Sequence, residues 1–124
     1  MTAYERLGGE AGVIALLDSL YLRAVADPLL SPFLAGINID RLKSSQFTFV
    51  SQATGGPHQY VGSLLQAHAR LRIEQRHFDA FAAHMRAALQ DLGEDDVLIN
   101  ELMSMVQAVR PLIVNAASTT TAST

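Results

Sequence analysis

Apolar residues recur along this chain at intervals of three and four, and no segment alternates as a half-buried strand would. From Glu10, the positions Val13, Leu16, Leu17, Leu20, Tyr21, Ala24 and Val25 trace one face of an amphipathic helix. Asp27-Pro28 ends it, because the residue before a proline is pushed out of helical geometry. The preceding stretch, Tyr4-Glu5-Arg6-Leu7-Gly8-Gly9, is too short for a packed helix and closes on a glycine pair that permits a sharp turn. Residues 28–37 hold two prolines and a glycine among large apolar side chains, which predicts short, tight helical turns packed inward. Asp40 is the expected N-cap of a helix from 41 to about 53. Its inner face carries Leu42, Gln46, Phe49, Val50 and Ala53, with Phe47 near the edge.

Thr54-Gly55-Gly56-Pro57 stops that helix, and a loop with Tyr60 and Gly62 follows. Leu64, Leu65 and His68 then share one face of a short helix, placing an imidazole among bulky apolar groups. The basic connection behind it alternates Arg70, Arg72, Glu74 and Arg76 around Leu71 and Ile73. A long helix over 77–92 turns Phe78, Phe81, Ala82, Met85, Ala88, Leu89 and Leu92 inward, with His84 beside this face and Gly93 as its terminator. Glu94, Asp95 and Asp96 suit the positive start of a last helix running to about 116, with Leu98, Leu102, Met105, Val106, Val109 and Ile113 apolar and Pro111 bending its final turns. The fold class is all-α: one domain over 1–116, then a flexible Ser/Thr-rich tail over 117–124.

Composition narrows the chemistry. The chain has 124 residues, 49% of them hydrophobic, which suits a single buried core. A net charge of −3 gives no basic field to draw it to nucleic acid or anionic lipid. It lacks cysteine, which removes disulfides, thiolate metal sites and a cysteine nucleophile. No run reaches the roughly 18–20 apolar residues of a membrane span and no signal peptide is visible, so a cytoplasmic protein is expected. The glycine pairs lack the context of a phosphate loop, and His77 and His84 stand two turns apart, which gives zinc little support.

What remains is polarity in apolar surroundings: Tyr21, Gln46 and His68, on three helices. Taken singly, Tyr21 reads as a core aromatic with its hydroxyl at the rim, and His68 as a half-buried histidine with one nitrogen satisfied. Gln46 needs a partner, since burying an unpaired amide costs about 1–3 kcal/mol. Together they fit a pocket with one metal ligand and two hydrogen-bonding groups, enclosed by Phe, Leu, Ile and Met.

Six marks carry a resemblance: Tyr4-Glu5-Arg6-Leu7-Gly8-Gly9, Leu20-Tyr21, Leu42-Lys43 followed by Gln46, Gly55-Gly56-Pro57, Gln66-Ala67-His68 and His77-Phe78. In order and spacing the chain resembles the truncated haemoglobins of the first group over residues 4–113. The resemblance implies a two-over-two helical sandwich around haem b, with the first globin helix almost lost. By it, His68 is the proximal ligand of the haem iron, its second nitrogen bonded to a backbone carbonyl or water. Tyr21 and Gln46 are the distal pair facing dioxygen, the Gln46 oxygen accepting from the Tyr21 hydroxyl while its amide donates to the ligand.

Leu42 stands where ordinary globins carry the distal histidine, and Ser45 where some relatives have a histidine that closes on the iron. A five-coordinate ferrous haem is therefore expected. The resemblance places Phe47, Leu64, Ile73, Phe78, Phe81, Met85, Leu102 and Val106 at the haem edge. Arg41, Lys43 and Arg72 are the cations for its propionates, or else solvated surface charges. Two departures stand out: Leu34 replaces a usual phenylalanine, with Phe33 beside it, and Ser45 replaces a lysine that often serves the propionate.

The function implied is binding of O₂, NO or CO, with NO dioxygenation to nitrate supported by a separate reductase or small reductant, in a monomer or weak dimer. Oxygen binding, storage or sensing without catalysis is the alternative. A peroxidase is disfavoured by the absence of a distal histidine or arginine base. A helical interaction domain without cofactor stays as the plain reading, and it predicts a colourless protein.

Overall fold

The computed structural model describes residues 1–116, so the expected Ser/Thr-rich tail over 117–124 lies outside the described residues. The longest helix, α2 (Gly9–Ala26), buries Val13, Leu16, Leu17, Leu20, Tyr21 and Ala24 on the face that the periodicity marks. Val25 does not join them: it is 43% exposed, one step past the edge of the buried stripe. Asp27 ends the helix in an extended conformation ahead of Pro28.

The first residues depart from expectation. They form a packed helix, α1 (Ala3–Leu7), that buries Ala3 and Leu7. Its five residues are held by a capping box: the Thr2 hydroxyl accepts from the Glu5 N–H at 3.1 Å, and the Glu5 carboxylate accepts from the Thr2 N–H at 3.0 Å. The Tyr4 N–H also donates to the Thr54 carbonyl at 2.8 Å. Gly8, at φ +104°, turns the chain into α2, and Gly12 allows the close approach that follows. A Cβ at Gly12 would sit 1.8 Å from the Leu7 carbonyl oxygen.

Residues 28–37 wind into a turn and the four-residue α3 (Ser31–Leu34), with Leu30 buried. Helix α4 (Ile39–Ala53) begins two residues earlier than expected, and Asn38 rather than Asp40 is its cap, accepting from the Arg41 N–H at 3.1 Å. Ile39 packs against the core, which draws the helix start back to it, and leaves Asp40 in the first turn facing the positive helix end. After Gly55 at φ +90° and a loop come the short α5 (Leu64–His68), capped by Ser63, and the long α6 (Gln75–Asp91). Leu65 and Leu92, both expected inward, are 53% and 38% exposed. On α5 the inward face belongs instead to Leu64, Ala67 and His68, while Leu92 lies beyond the last turn of α6.

The expected single last helix divides into α7 (Asp96–Ala108) and α8 (Arg110–Ile113). Pro111 sits in the first turn of α8, where its missing N–H costs nothing, but inside a continuous helix it would have broken the ladder. Asp95 caps α7 through a 2.8 Å bond from the Leu98 N–H.

Helix α2 packs on α4 and across α6, which lies beside α7, giving the two-over-two helical sandwich. No strand occurs among the described residues. Between the layers, Val13, Leu16, Leu17, Leu20, Leu89, Leu98 and Ile99 are almost wholly buried, each contributing about 1.5–3 kcal/mol of hydrophobic stabilisation. Side-chain ties join neighbouring helices. Lys43 Nζ meets Asp18 Oδ1 at 3.0 Å between α4 and α2, and Arg110 lies 4.5 Å over the Phe78 ring. Among the described residues no helix is long and apolar enough to cross a membrane.

Candidate functional site

Residues from α2 to α8 wall a cavity of about 440 Å³, within the usual range for a small-molecule or cofactor pocket. Tyr21 from α2, Leu42 and Gln46 from α4, Leu64 and His68 from α5 and Ile73 from the connection all line it. Phe78, Phe81 and Met85 of α6 and Leu102 and Val106 of α7 complete the expected set that the fold brings together.

Four residues expected at the haem do not line this cavity. Phe47 packs toward the core and edge-on against His58, with ring centroids 4.8 Å apart, because one helical step past Gln46 carries it round to the α2 side. Lys43 is on that same side, engaged with Asp18. Arg41 and Arg72 are exposed and do not line the cavity, and Arg72 holds a left-handed backbone at φ +53°.

Of the chain's four histidines, His68 and His77 line the cavity. His58 is bonded through Nδ1 to the Ser51 hydroxyl at 3.0 Å, and His84 through Nε2 to Asp27 at 2.7 Å. The backbone fixes the two cavity histidines in opposite forms. His68 Nδ1 lies 2.7 Å from the Leu64 carbonyl, which can only accept, so Nδ1 carries the proton and Nε2 keeps its lone pair. His77 Nδ1 instead accepts from the Glu74 N–H at 2.9 Å, which leaves the proton of the neutral ring on Nε2. One imidazole offers a ligand atom, and the other offers a donor.

His77 was missed as a site residue. Its signal was local: three positions after Glu74, it occupies the reciprocal place of a capping box in the first turn of α6. Phe33 packs edge-on to its ring at 4.7 Å, and both Phe33 and Leu34 line the cavity, so the Phe33 ring fills space beside the expected phenylalanine position. Tyr60, Phe49 and Leu71 are further lining residues outside the expected set.

Tyr21 is 3% exposed, its ring edge-on to Phe81 at 6.0 Å. Burial pushes its phenol far above the ordinary tyrosine value, so the hydroxyl stays a donor throughout the neutral range. The expected bond from this hydroxyl to the Gln46 oxygen is not formed, and neither group hydrogen-bonds within the described residues. Both residues line the cavity, and their side chains are not paired with each other. Among the described residues no group of three or more His, Asp or Glu could hold a bare metal ion. The donor set fits a metal that brings its own equatorial ligands: one lone pair on His68, apolar walls, and two free hydrogen-bonding tips.

Fold and cavity define an α-helical protein with an apolar, cofactor-sized pocket. The bacterial-like globin family model matches residues 2–115. A group 1 truncated hemoglobin of Mycolicibacterium paratuberculosis is 34% identical over 111 residues, spanning 89% of this chain and 82% of its own. The truncated hemoglobin of Tetrahymena pyriformis, in its Fe(III) form, is similar at a TM-score of 0.88 and 30% identity, covering 93% of this chain and 99% of its own. The structure of THB1 from Chlamydomonas reinhardtii is similar at a TM-score of 0.79 and 38% identity, over 90% and 95%. The chain belongs to the bacterial-like globin family, as a truncated haemoglobin of group 1. Membership brings haem as cofactor and small gases such as O₂ as ligands.

Proposed function

We propose that the protein binds haem b through His68 and holds O₂ reversibly on the side served by Tyr21 and Gln46, in support of NO dioxygenation. The observation that carries this reading is the 2.7 Å contact of His68 Nδ1 with the Leu64 carbonyl, which leaves Nε2 as the one imidazole lone pair offered to the cavity among the described residues. Haem, when bound, would supply the gas-binding metal and the electron chemistry. The chain supplies the rest. Leu42, Phe78, Phe81 and Met85 exclude water, and Tyr21 and Gln46 present hydrogen-bond donors to a ligand that gains negative charge. Hemoglobin of Tetrahymena pyriformis has been solved with a tyrosine changed to phenylalanine, and with a glutamine twenty-five positions further along changed to glutamate. Tyr21 and Gln46 stand at that same spacing.

Leu42 and Ser45 line the cavity without offering an imidazole, which supports a five-coordinate ferrous state. The balance of the proposed reaction is one O₂, one NO and one electron to one nitrate, the electron coming from a separate reductase or small reductant. Arg41 and Arg72 are the exposed cations available to the propionates. The protein acts as a monomer or weak dimer in the cytoplasm on this reading.

Absorption spectra of the ferric, reduced and CO forms test the pocket. His68→Gly abolishes the histidine-ligated spectrum, while His77→Phe, which keeps the aromatic contact with Phe33, retains it. A His68→Gly protein with unaltered colour overturns the assignment. Repeated additions of NO to the oxygenated protein with a reducing system then test turnover: nitrate formed over many cycles supports dioxygenation, and recovery of an oxygenated form with no nitrate identifies an oxygen binder.

A further inference from the structure

His68 is carried by very little. Helix α5 has five residues, too few to be stable alone, and its last carbonyls find no continuing helix. The connection behind it contains Arg72 in the left-handed region at φ +53°, a conformation that a side chain with a Cβ adopts only where its surroundings impose it. Something outside this segment must hold it.

That group comes from the far end of the described chain. Asn115 Nδ2 donates to the His68 carbonyl at 2.6 Å, and Asn115 Oδ1 accepts from the Ile73 N–H at 2.7 Å. The Asn115 N–H donates in turn to the Ile73 carbonyl at 2.9 Å, and the Ala116 N–H joins it at 3.0 Å. The orientation of the amide follows from chemistry, since a carbonyl only accepts and a backbone N–H only donates. One side chain thus closes the 68–73 loop from both ends. It does so where α8 packs on α5, so its position is set by the fold rather than by the loop. The His68 carbonyl also accepts from the Leu71 N–H at 3.0 Å, which fills both of its lone pairs.

We propose that Asn115 is a positioning residue for His68: by clamping the His68 carbonyl to the Ile73 backbone, it fixes the direction in which the imidazole addresses the haem iron. The proposal rests on the reading of His68 as the haem ligand. Asn115 touches neither ring nor cavity, and acts through the backbone alone.

Asn115→Asp and Asn115→Ala, made in the full chain, separate the parts of the clamp. Aspartate keeps an acceptor for the Ile73 N–H and loses the donor to His68, whereas alanine loses both. The iron–histidine stretching band of the ferrous protein, read by resonance Raman, is expected to shift or broaden in both variants. Amide exchange at Ile73 in the haem-free protein is expected to accelerate about fivefold in Asn115→Ala and to stay near wild type in Asn115→Asp. An unchanged iron–histidine band in Asn115→Asp overturns the proposal and leaves Asn115 as a tether of Ile73 only. If wild type shows no iron–histidine band, the haem assignment fails and the proposal falls with it, while protection of Ile73 would still show that the clamp forms.

Discussion

Asp27, the residue that ends α2, places its Oδ2 2.7 Å from Nε2 of His84 in α6, while its Oδ1 accepts from the Leu29 N–H at 2.9 Å. One carboxylate thus stops a helix, starts the next turn and ties two layers of the sandwich. The bond to His84, then the one from the Leu29 N–H, hold its carboxyl below the usual carboxylate range. A carboxylate with a depressed folded pKa stabilises the fold above its unfolded value of about 3.9, and that contribution is lost as pH falls through the folded value. Asn at position 27 keeps an acceptor for Leu29 without the charge. Urea unfolding of Asp27→Asn should therefore show a lower midpoint than wild type at pH 7, and the gap should narrow as the pH falls into the acid range. A gap that persists undiminished in acid would show that the charge on Asp27 contributes nothing.

Tyr21→Phe separates stability from ligand retention. The hydroxyl has no partner among the described residues, so its removal takes no internal hydrogen bond from the fold. Stability should stay within about 0.5 kcal/mol of wild type. Dissociation of O₂, followed by displacement with CO, should accelerate about ten- to hundredfold if the phenol steadies the ligand. Because burial raises the phenol's pKa, the wild-type rate should stay level from pH 6 to pH 9 as far as Tyr21 controls it.

Gly12→Ala tests the approach of α1 to α2. The added methyl group would meet a backbone oxygen at 1.8 Å, which no rotamer change relieves. Chemical denaturation should show a loss of about 2–3 kcal/mol. At Gly36, φ +76° but with open space around a Cβ, alanine costs only backbone strain, about 1–2 kcal/mol.

Lys43→Ala tests where that cation belongs. Its ammonium is engaged by Asp18, and the pair is partly exposed, so stability should fall by less than about 1 kcal/mol. The rate of haem transfer to an apoprotein acceptor should change less than about twofold, as for any surface pair remote from the cofactor. A large increase would return Lys43 to the propionates.

The long periodic segments were legible in the sequence because one face of α2, α4, α6 or α7 shows up over several turns. For the same reason Tyr21 and Gln46 stood out, as polar groups at positions where the period calls for apolar ones. Helix α1 was not legible: five residues are too few to show a period, and what holds it, the Thr2–Glu5 box and the Thr54 carbonyl, is capping and long-range pairing. That Phe47 and Lys43 do not line the cavity has another cause. Both lie on the flank of α4 that faces α2, and a hydrophobic pattern does not say which neighbour covers a flank. The form of each histidine was out of reach too, since it depends on which backbone atom each Nδ1 meets.

The opposite hydrogen-bonding forms of His68 and His77 carry a consequence for selectivity. A bare zinc ion seeks about four protein donors, and among the described residues this pocket has one imidazole lone pair to give it. Scarcity of ligands among the described residues would thereby disfavour a bare ion. On the proposed reading, haem would bring most of its iron's ligands with it and would ask of the pocket only the bond that His68 can give.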